Sequence, residues 1–250
     1  MDRLGLKKIA TIEARMSSSR LPGKVLMPLA DRPSLERMVE RIRRAKSIDE
    51  VVVATTVSAA DDAVVEWAQS AGVAVFRGSE EDVLLRVLEA ARAFHGGIIC
   101  ELTGDCPLID PEIIDALMDR YVRSNADYVS NILRRTYPRG LDTQIFSTQV
   151  LEEVDRLTQD PADRENVSLY IYEHPERFRL DGMEAPEPLR RPKLRWTVDT
   201  QEDYAMIAGI YAELYPKNPA FTSFDVMAYL DRHPELRDLN AHVVQKKVRG

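Results

Sequence analysis

Two cysteines in 250 residues, Cys100 and Cys106, provide no disulfide framework and no Cys-x-x-Cys or Cys-His set that could hold zinc. Both are read as reduced thiols, one of them buried in a strand. The four histidines, His95, His174, His233 and His242, are scattered with no i, i+4 partner, so each reads as a solvated or satisfied side chain rather than a metal ligand. No apolar run approaches the roughly 20 residues a bilayer span needs, and the charged start MDRLGLKK has no signal-peptide core. A cytoplasmic chain with no membrane partner is expected. An excess of positive charge is also missing: 41 acidic against 34 basic side chains leave a net charge of −7, which argues against nucleic acid or anionic membrane held by overall charge. Any anionic ligand must therefore be captured locally.

Two nucleotide-binding signatures are absent as well. The pattern G-x-x-x-x-G-K-[ST] needs glycine where Ser18 stands and a hydroxyl where Val25 stands, and no G-x-G-x-x-G follows the first strand-like run. P-loop kinases and dinucleotide dehydrogenases lose their main support. Repeats and low-complexity tracts are likewise missing.

What the chain does have is alternation. Apolar, β-branched runs at 9–14, 51–55, 74–76, 98–102 and 127–131 read as strands, and the segments 34–46, 61–71, 82–94 and 110–124 between them read as helices. Leu35, Met38, Val39 and Ile42 line one face of the first helix, and Asp110-Pro111 caps the last. Such an order predicts an α/β fold with a mostly parallel sheet and helices on both faces. The Arg41–Arg44 cluster is read as the wet face of its helix. From about 137 to 195 proline and charge density rise, and this stretch is read as an excursion from the sheet with helices near 148–157 and 164–173 and a strand at 178–181. Residues 196–198 are read as a strand returning to the core, Thr200 as the cap of a helix to about 215 with Asp203 completing a capping box, and 223–233 as the last helix. The length suits one domain over 1–250 carrying this excursion.

The most informative stretch is IATIEARMSSSRLPGKVL at 9–26. A strand ends in a loop of small hydroxyls that holds Arg15, Arg20 and Lys24, with Pro22 and Gly23 fixing the turn. Each cation alone is an ordinary surface residue; three together at a strand's end suit a polyphosphate, because arginines grip phosphate oxygens in pairs and lysine supplies a mobile point charge. In a doubly wound sheet, ligands sit beyond the carboxyl ends of the strands. Asp105 and Asp199 fall at such ends, in LTGDCPLID and RWTVDTQEDY. Taken singly each is a turn former or helix cap. Taken with the cationic loop, two carboxylates are the hard ligands that Mg²⁺ prefers alongside phosphate oxygens.

These segments, with FRGSEEDVLLR at 76–86, YPRGLDTQIF at 137–146 and YIYEHPERF at 170–178, make the chain resemble the SpsF-type cytidylyltransferases, relatives of the Kdo and sialic-acid CMP-sugar synthetases. The resemblance runs in order over residues 9–206. It implies a Rossmann-like nucleotide-diphospho-sugar transferase fold, dependence on Mg²⁺, and a homodimer formed through the excursion. Mapped onto this chain it assigns the triphosphate to Arg15, Arg20 and Lys24, and the metal to Asp105 and Asp199. Base and ribose go to Ala14, Thr55, Ser79 and Asp82, and the acceptor to Arg139, Asp142 and Arg164. Three features depart from the family pattern: Glu13 stands where glutamine is usual, Glu101 where arginine is usual, and RENVSLYIYEH where a His-Val-Thr-Pro run is usual. For Glu101 a nearby cation such as Arg15 or Arg20 is the expected partner.

The implied activity is transfer of CMP from CTP to a sugar or sugar acid, with release of pyrophosphate, for surface glycan synthesis. The alternatives are transfer of GMP, UMP or dTMP to a sugar 1-phosphate on the same fold, and a nucleotide-binding protein that has lost turnover.

Overall fold

The computed structural model describes residues 3–245 and Val248. In chain order its elements are β1 (Lys8–Glu13), β2 (Pro28–Leu29), β3 (Arg32–Pro33), α1 (Ser34–Ile42), β4 (Glu50–Thr56), α2 (Asp62–Ser70), β5 (Ala74–Gly78) and α3 (Val83–Ala93). Then follow β6 (Ile98–Thr103), α4 (Pro111–Arg123), β7 (Tyr128–Ser130), β8 (Gln144–Ser147), α5 (Thr148–Leu157), α6 (Pro161–Glu165) and α7 (Leu169–Glu173). β9 (Leu180–Gly182), α8 (Gln201–Leu214), α9 (Ser223–Arg232) and α10 (Pro234–Arg237) complete the set.

Helix starts are set locally. Asp82, Asp110 and Ser147 each accept a backbone N–H in the first turn of α3, α4 and α5. Thr200 and Asp203 form the anticipated capping box on α8, and Thr222 with Asp225 forms another on α9.

Seven strands form one sheet in the order β5-β4-β1-β6-β8-β7-β9. Only β8 runs against the others, pairing antiparallel with β6 and β7, while β9 pairs parallel with β7. The Rossmann-like, mostly parallel architecture is thus present. The period of two along the strands sorts side chains to two faces. Ala10 and Ile12 of β1, with Ile98, Cys100 and Leu102 of β6, join the core under α1, α4, α8 and α9. Ile9 and Ile99 face the opposite layer of α3, α5 and α7, where Leu84, Val87, Leu151, Val154 and Ile171 pack. Among the described residues no helix is long and apolar enough to cross a membrane.

The structure corrects four expectations. The stretch 137–195 does not leave the sheet: β8 sits inside it between β6 and β7, because Ile145 and Phe146 bury one on each face. Residues 196–198 form no strand, since their backbone bonds go to loops instead. Trp196 N–H donates to Arg139 O and Val198 N–H to Asp105 O. The helix expected at 164–173 is two, α6 and α7, broken at 166–168, where the Asn166 side chain folds back onto Ala162 O. Finally, Arg41 is buried, not wet. Its Nε donates to Ile109 O, its Nη1 to Phe221 O, and its guanidinium lies over the Phe221 ring, so the stem and charge tie α1 to the start of α9. Both cysteines are buried free thiols, Cys100 within β6.

Gly140 is where the acceptor-side loop touches the 196–198 segment. Its φ is +97°, and a Cβ there would lie 2.5 Å from Trp196 O. Gly140→Ala is therefore expected to cost about 2 kcal/mol from backbone strain alone, with the displaced carbonyl adding to it. Urea unfolding measures this; an unchanged midpoint and slope would show that the contact is relieved without loss.

Candidate active site

The carboxyl ends of β1, β4, β5 and β6 meet at one edge of the sheet, and the loop 14–23 crosses it. Its entry is pinned by Asp61, which is buried and accepts the Met16 N–H at 2.6 Å with one oxygen while the other takes the Thr56 hydroxyl. Its exit is turned by Gly23, at φ +72°, whose N–H returns to Met16 O. A left-handed residue is needed at that point, and glycine adopts it without a Cβ penalty. The chain then enters a single 3-10 turn, Lys24–Leu26, which aims the Lys24 side chain inward.

Lys24 Nζ lies 3.0 Å from Asp105 Oδ2 and 2.6 Å from Asp199 Oδ1. Arg20 Nη2 stands 2.9 Å from Asp199 Oδ2. Two of the three loop cations and both strand-end acids thus occupy one cluster. Arg15 is exposed and forms no ion pair among the described residues. Burial would raise the Asp105 carboxyl, but Lys24, the Thr103 hydroxyl and the Cys106 thiol outweigh it and bring its pKa down to about 2. Burial likewise works against the Lys24 ammonium, and the two carboxylates overcome it, raising its pKa. Both groups are charged at neutral pH.

A third cation reaches Asp199 from behind. Arg195 is buried, bonds Asp199 Oδ2 through Nη2, and holds both oxygens of Asp203 through Nε at 3.0 and 3.1 Å. Asn240 completes this base, donating at 2.8 Å to Arg195 O and to Asp203 Oδ1. Neither Asp61, Arg195 nor Asn240 was singled out from sequence. Asp61 carried the same signal as Asp105, an acid just past a strand's end; Asn240 had none.

Of the residues assigned to base and ribose, Ala14 and Thr55 are buried at the ends of β1 and β4, and Thr55 Oγ1 has no hydrogen-bond partner among the described residues. Ser79 and Asp82 lie across the mouth at the start of α3, the Ser79 hydroxyl accepting the Asp82 N–H at 3.0 Å. Asp82 is engaged by Arg164, whose Nε reaches it at 3.0 Å and whose Nη1 reaches Asp155 at 2.8 Å. The structure thus brings Arg164 to Asp82, whereas Arg139 and Asp142 gather beside Arg195 and the 196–198 segment. Asp142 is held by a two-point pair with Arg135. Burial and the neighbouring Arg135 lower the pKa of Arg139.

Glu101 makes no ion pair with Arg15 or Arg20. It sits on the α3 side of β6, buried, with no hydrogen-bond partner for Oε2 among the described residues, beside Gln144 of β8, whose Oε1 already accepts the Tyr128 and Ser168 hydroxyls. Burial pushes its pKa up to about 7, the Ser168 and Gln144 side chains offsetting only part of that. Glu13 shares this face and is pushed well up, first by burial and then by the charge of Glu101, with Arg86 opposing. The two departures from the family pattern are therefore two neighbouring acids on one face of the sheet, neither of them in an ion pair with a loop cation among the described residues.

The Asp105–Asp199 pair converges on a single point within about 3 Å of an oxygen from each, as the Lys24 ammonium demonstrates. Two carboxylates without a third His, Cys, Asp or Glu ligand among the described residues fit a hard cation that draws its remaining ligands from phosphate and water.

A mostly parallel sheet whose carboxyl edge opposes loop cations to two aspartates defines a nucleotidyltransferase-type site. The sequence profile of the cytidylyltransferase family matches residues 9–247, and the chain belongs to that family. It is 36% identical to the spore coat polysaccharide biosynthesis protein SpsF of Bacillus subtilis, over 90% of this chain and 94% of that one. It is 36% identical to a 3-deoxy-manno-octulosonate cytidylyltransferase of Anaeromyxobacter dehalogenans, over 70% and 66% of the two chains. A cytidylyltransferase structure from Leptospira borgpetersenii superposes with a TM-score of 0.87 at 36% identity, covering 93% of this chain and 97% of the other.

Proposed function

We propose that the protein transfers CMP from CTP to a hydroxyl of a sugar or sugar acid, releasing pyrophosphate, in surface polysaccharide synthesis. The observation that carries this reading is the convergence of Lys24 and Arg20 on Asp105 and Asp199 at the carboxyl edge of the sheet.

In the reaction the acceptor oxygen forms a bond to the α-phosphorus, the bond to the bridging oxygen of the β-phosphate breaks, and the hydroxyl proton leaves to solvent. Little covalent work falls to the protein; its task is alignment and charge neutralisation. Lys24, Arg20 and the exposed Arg15 hold the β- and γ-phosphates and neutralise the departing pyrophosphate. Ala14, Thr55, Ser79 and Asp82 flank base and ribose, with Arg164 keeping Asp82 in place. Asp105 and Asp199 are the residues that would hold Mg²⁺, which would supply charge neutralisation for the phosphates and would lower the pKa of an acceptor hydroxyl. Arg139, adjoining this edge through Trp196, suits an acceptor carboxylate, and Asp142, oriented by Arg135, suits its hydroxyls. The reading includes a homodimer in the cytoplasm; light scattering at assay concentration tests the first, and a monomer would remove it.

A panel of CTP, GTP, UTP and dTTP, each with Mg²⁺ and a range of sugars, sugar acids and sugar 1-phosphates, is expected to release pyrophosphate with CTP alone. Release only with another nucleotide and a sugar 1-phosphate would overturn the base and acceptor together. Tight CTP binding with no release across the panel would make the protein a binder.

A further inference from the structure

Among the described residues three cations contact Asp199, and they are rooted differently. Lys24 stands on a single 3-10 turn behind Gly23 and reaches the acids through four rotatable bonds; Arg20 lies on the open loop with its side chain 37% exposed. Arg195 has a side chain only 5% exposed and is locked on Asp203, which in turn is held by Asn240 and by the Asp199 and Thr200 N–H groups at the start of α8. Lys24 and Arg20 thus stand on the loop side of Asp199, and Arg195 stands on its braced, buried side.

Lys24 also occupies a particular point. Its ammonium lies within hydrogen-bond reach of one oxygen from each carboxylate, which is where a cation shared by Asp105 and Asp199 must sit. We propose that Lys24 is an exchangeable counter-ion that closes the acidic pair to a divalent metal until a triphosphate draws it away, while Arg195 is the fixed positioning residue that keeps Asp199 aimed throughout. The proposal rests on the metal-dependent nucleotidyl-transfer reading above.

The charge balance supports it. Among the described residues the ion-paired cluster holds three acids, Asp105, Asp199 and Asp203, against three cations, Lys24, Arg20 and Arg195. A divalent ion entering alone meets acids already matched by cations, with the Lys24 ammonium at contact distance from the point it would occupy. A triphosphate reverses the balance, because its oxygens take Lys24 and Arg20 and add ligands for the metal. Metal and triphosphate then favour each other by the same factor, as linkage requires. Arg195 stays behind, bonded through Nη2, so that Asp199 neither rotates nor loses its last donor when the loop cations depart.

The test is Mn²⁺ binding to the full-length protein without nucleotide, followed by the free-ion electron paramagnetic resonance signal, with thermal unfolding as a control for folding. Lys24→Met is expected to bind Mn²⁺ at least tenfold more tightly than wild type, although it loses CTP affinity. Arg195→Met is expected to bind it more weakly. Asn240→Ala, which removes only the base of Arg195, should weaken it in the same direction and serves if Arg195→Met does not fold. Unchanged or weaker Mn²⁺ binding by folded Lys24→Met overturns the exchange, as does failure of both proteins to bind Mn²⁺ at millimolar concentration. Unchanged binding by folded Arg195→Met and Asn240→Ala overturns the positioning role. No nucleotide or acceptor enters this titration, so it reads independently of the substrate panel.

Discussion

Lys24→Ala is expected to lower kcat/KM for pyrophosphate release by about a hundredfold or more, the scale seen when one preorganised charge donor is removed from a transition state. The ammonium is held before reaction by two carboxylates at 3.0 and 2.6 Å, and in the proposed exchange it passes from them to the phosphates. Charge grows on the leaving pyrophosphate as the bond breaks, so the loss should fall on kcat more than on KM. The substitution also unmasks the acidic pair, so metal binding should improve while turnover collapses. That opposition separates it from simple disruption of the site, in which both would decline. Steady-state release at saturating Mg²⁺ measures it, and a variant with wild-type kcat/KM would remove Lys24 from the mechanism.

The parts of the fold legible in sequence are those written by local chemistry. α5 at Thr148–Leu157, the Asp110-Pro111 cap of α4 and the Thr200–Asp203 capping box all follow from side chains that satisfy neighbouring backbone groups. The strand-end acids and the cationic loop are legible for a similar reason: a parallel sheet gathers its carboxyl ends, so residues far apart in sequence can be assigned to one edge. What escapes depends on distant partners. β8 has only four residues, and it is a strand because β6 and β7 flank it. Trp196 and Val198 look like a strand, yet their N–H groups go to Arg139 and Asp105. Arg41 reads as surface until the carbonyls of Ile109 and Phe221 are found around it. Arg195 opens the RWTVDTQEDY motif and bonds two acids within it, but Asn240, which braces its carbonyl and Asp203, lies 45 residues later.

Glu101→Gln is expected to change how stability depends on pH. The wild-type carboxyl rises from 4.5 to about 7 on folding, chiefly through burial. The folded protein therefore holds a proton between those values that the unfolded chain releases. Stability from this group is full below pH 4.5 and is lost as pH rises through 7, by about 3 kcal/mol in all. Glu13, raised by the same burial and by Glu101 itself, acts in the same direction. The substituted amide has no proton to lose and relieves Glu13 of a like charge. Urea unfolding should place the variant close to wild type at pH 5 and more stable by about 3 kcal/mol at pH 8. A gap of equal size at both pH values would mean that Glu101 is ionised in the folded protein throughout, and that a cation pairs with it after all.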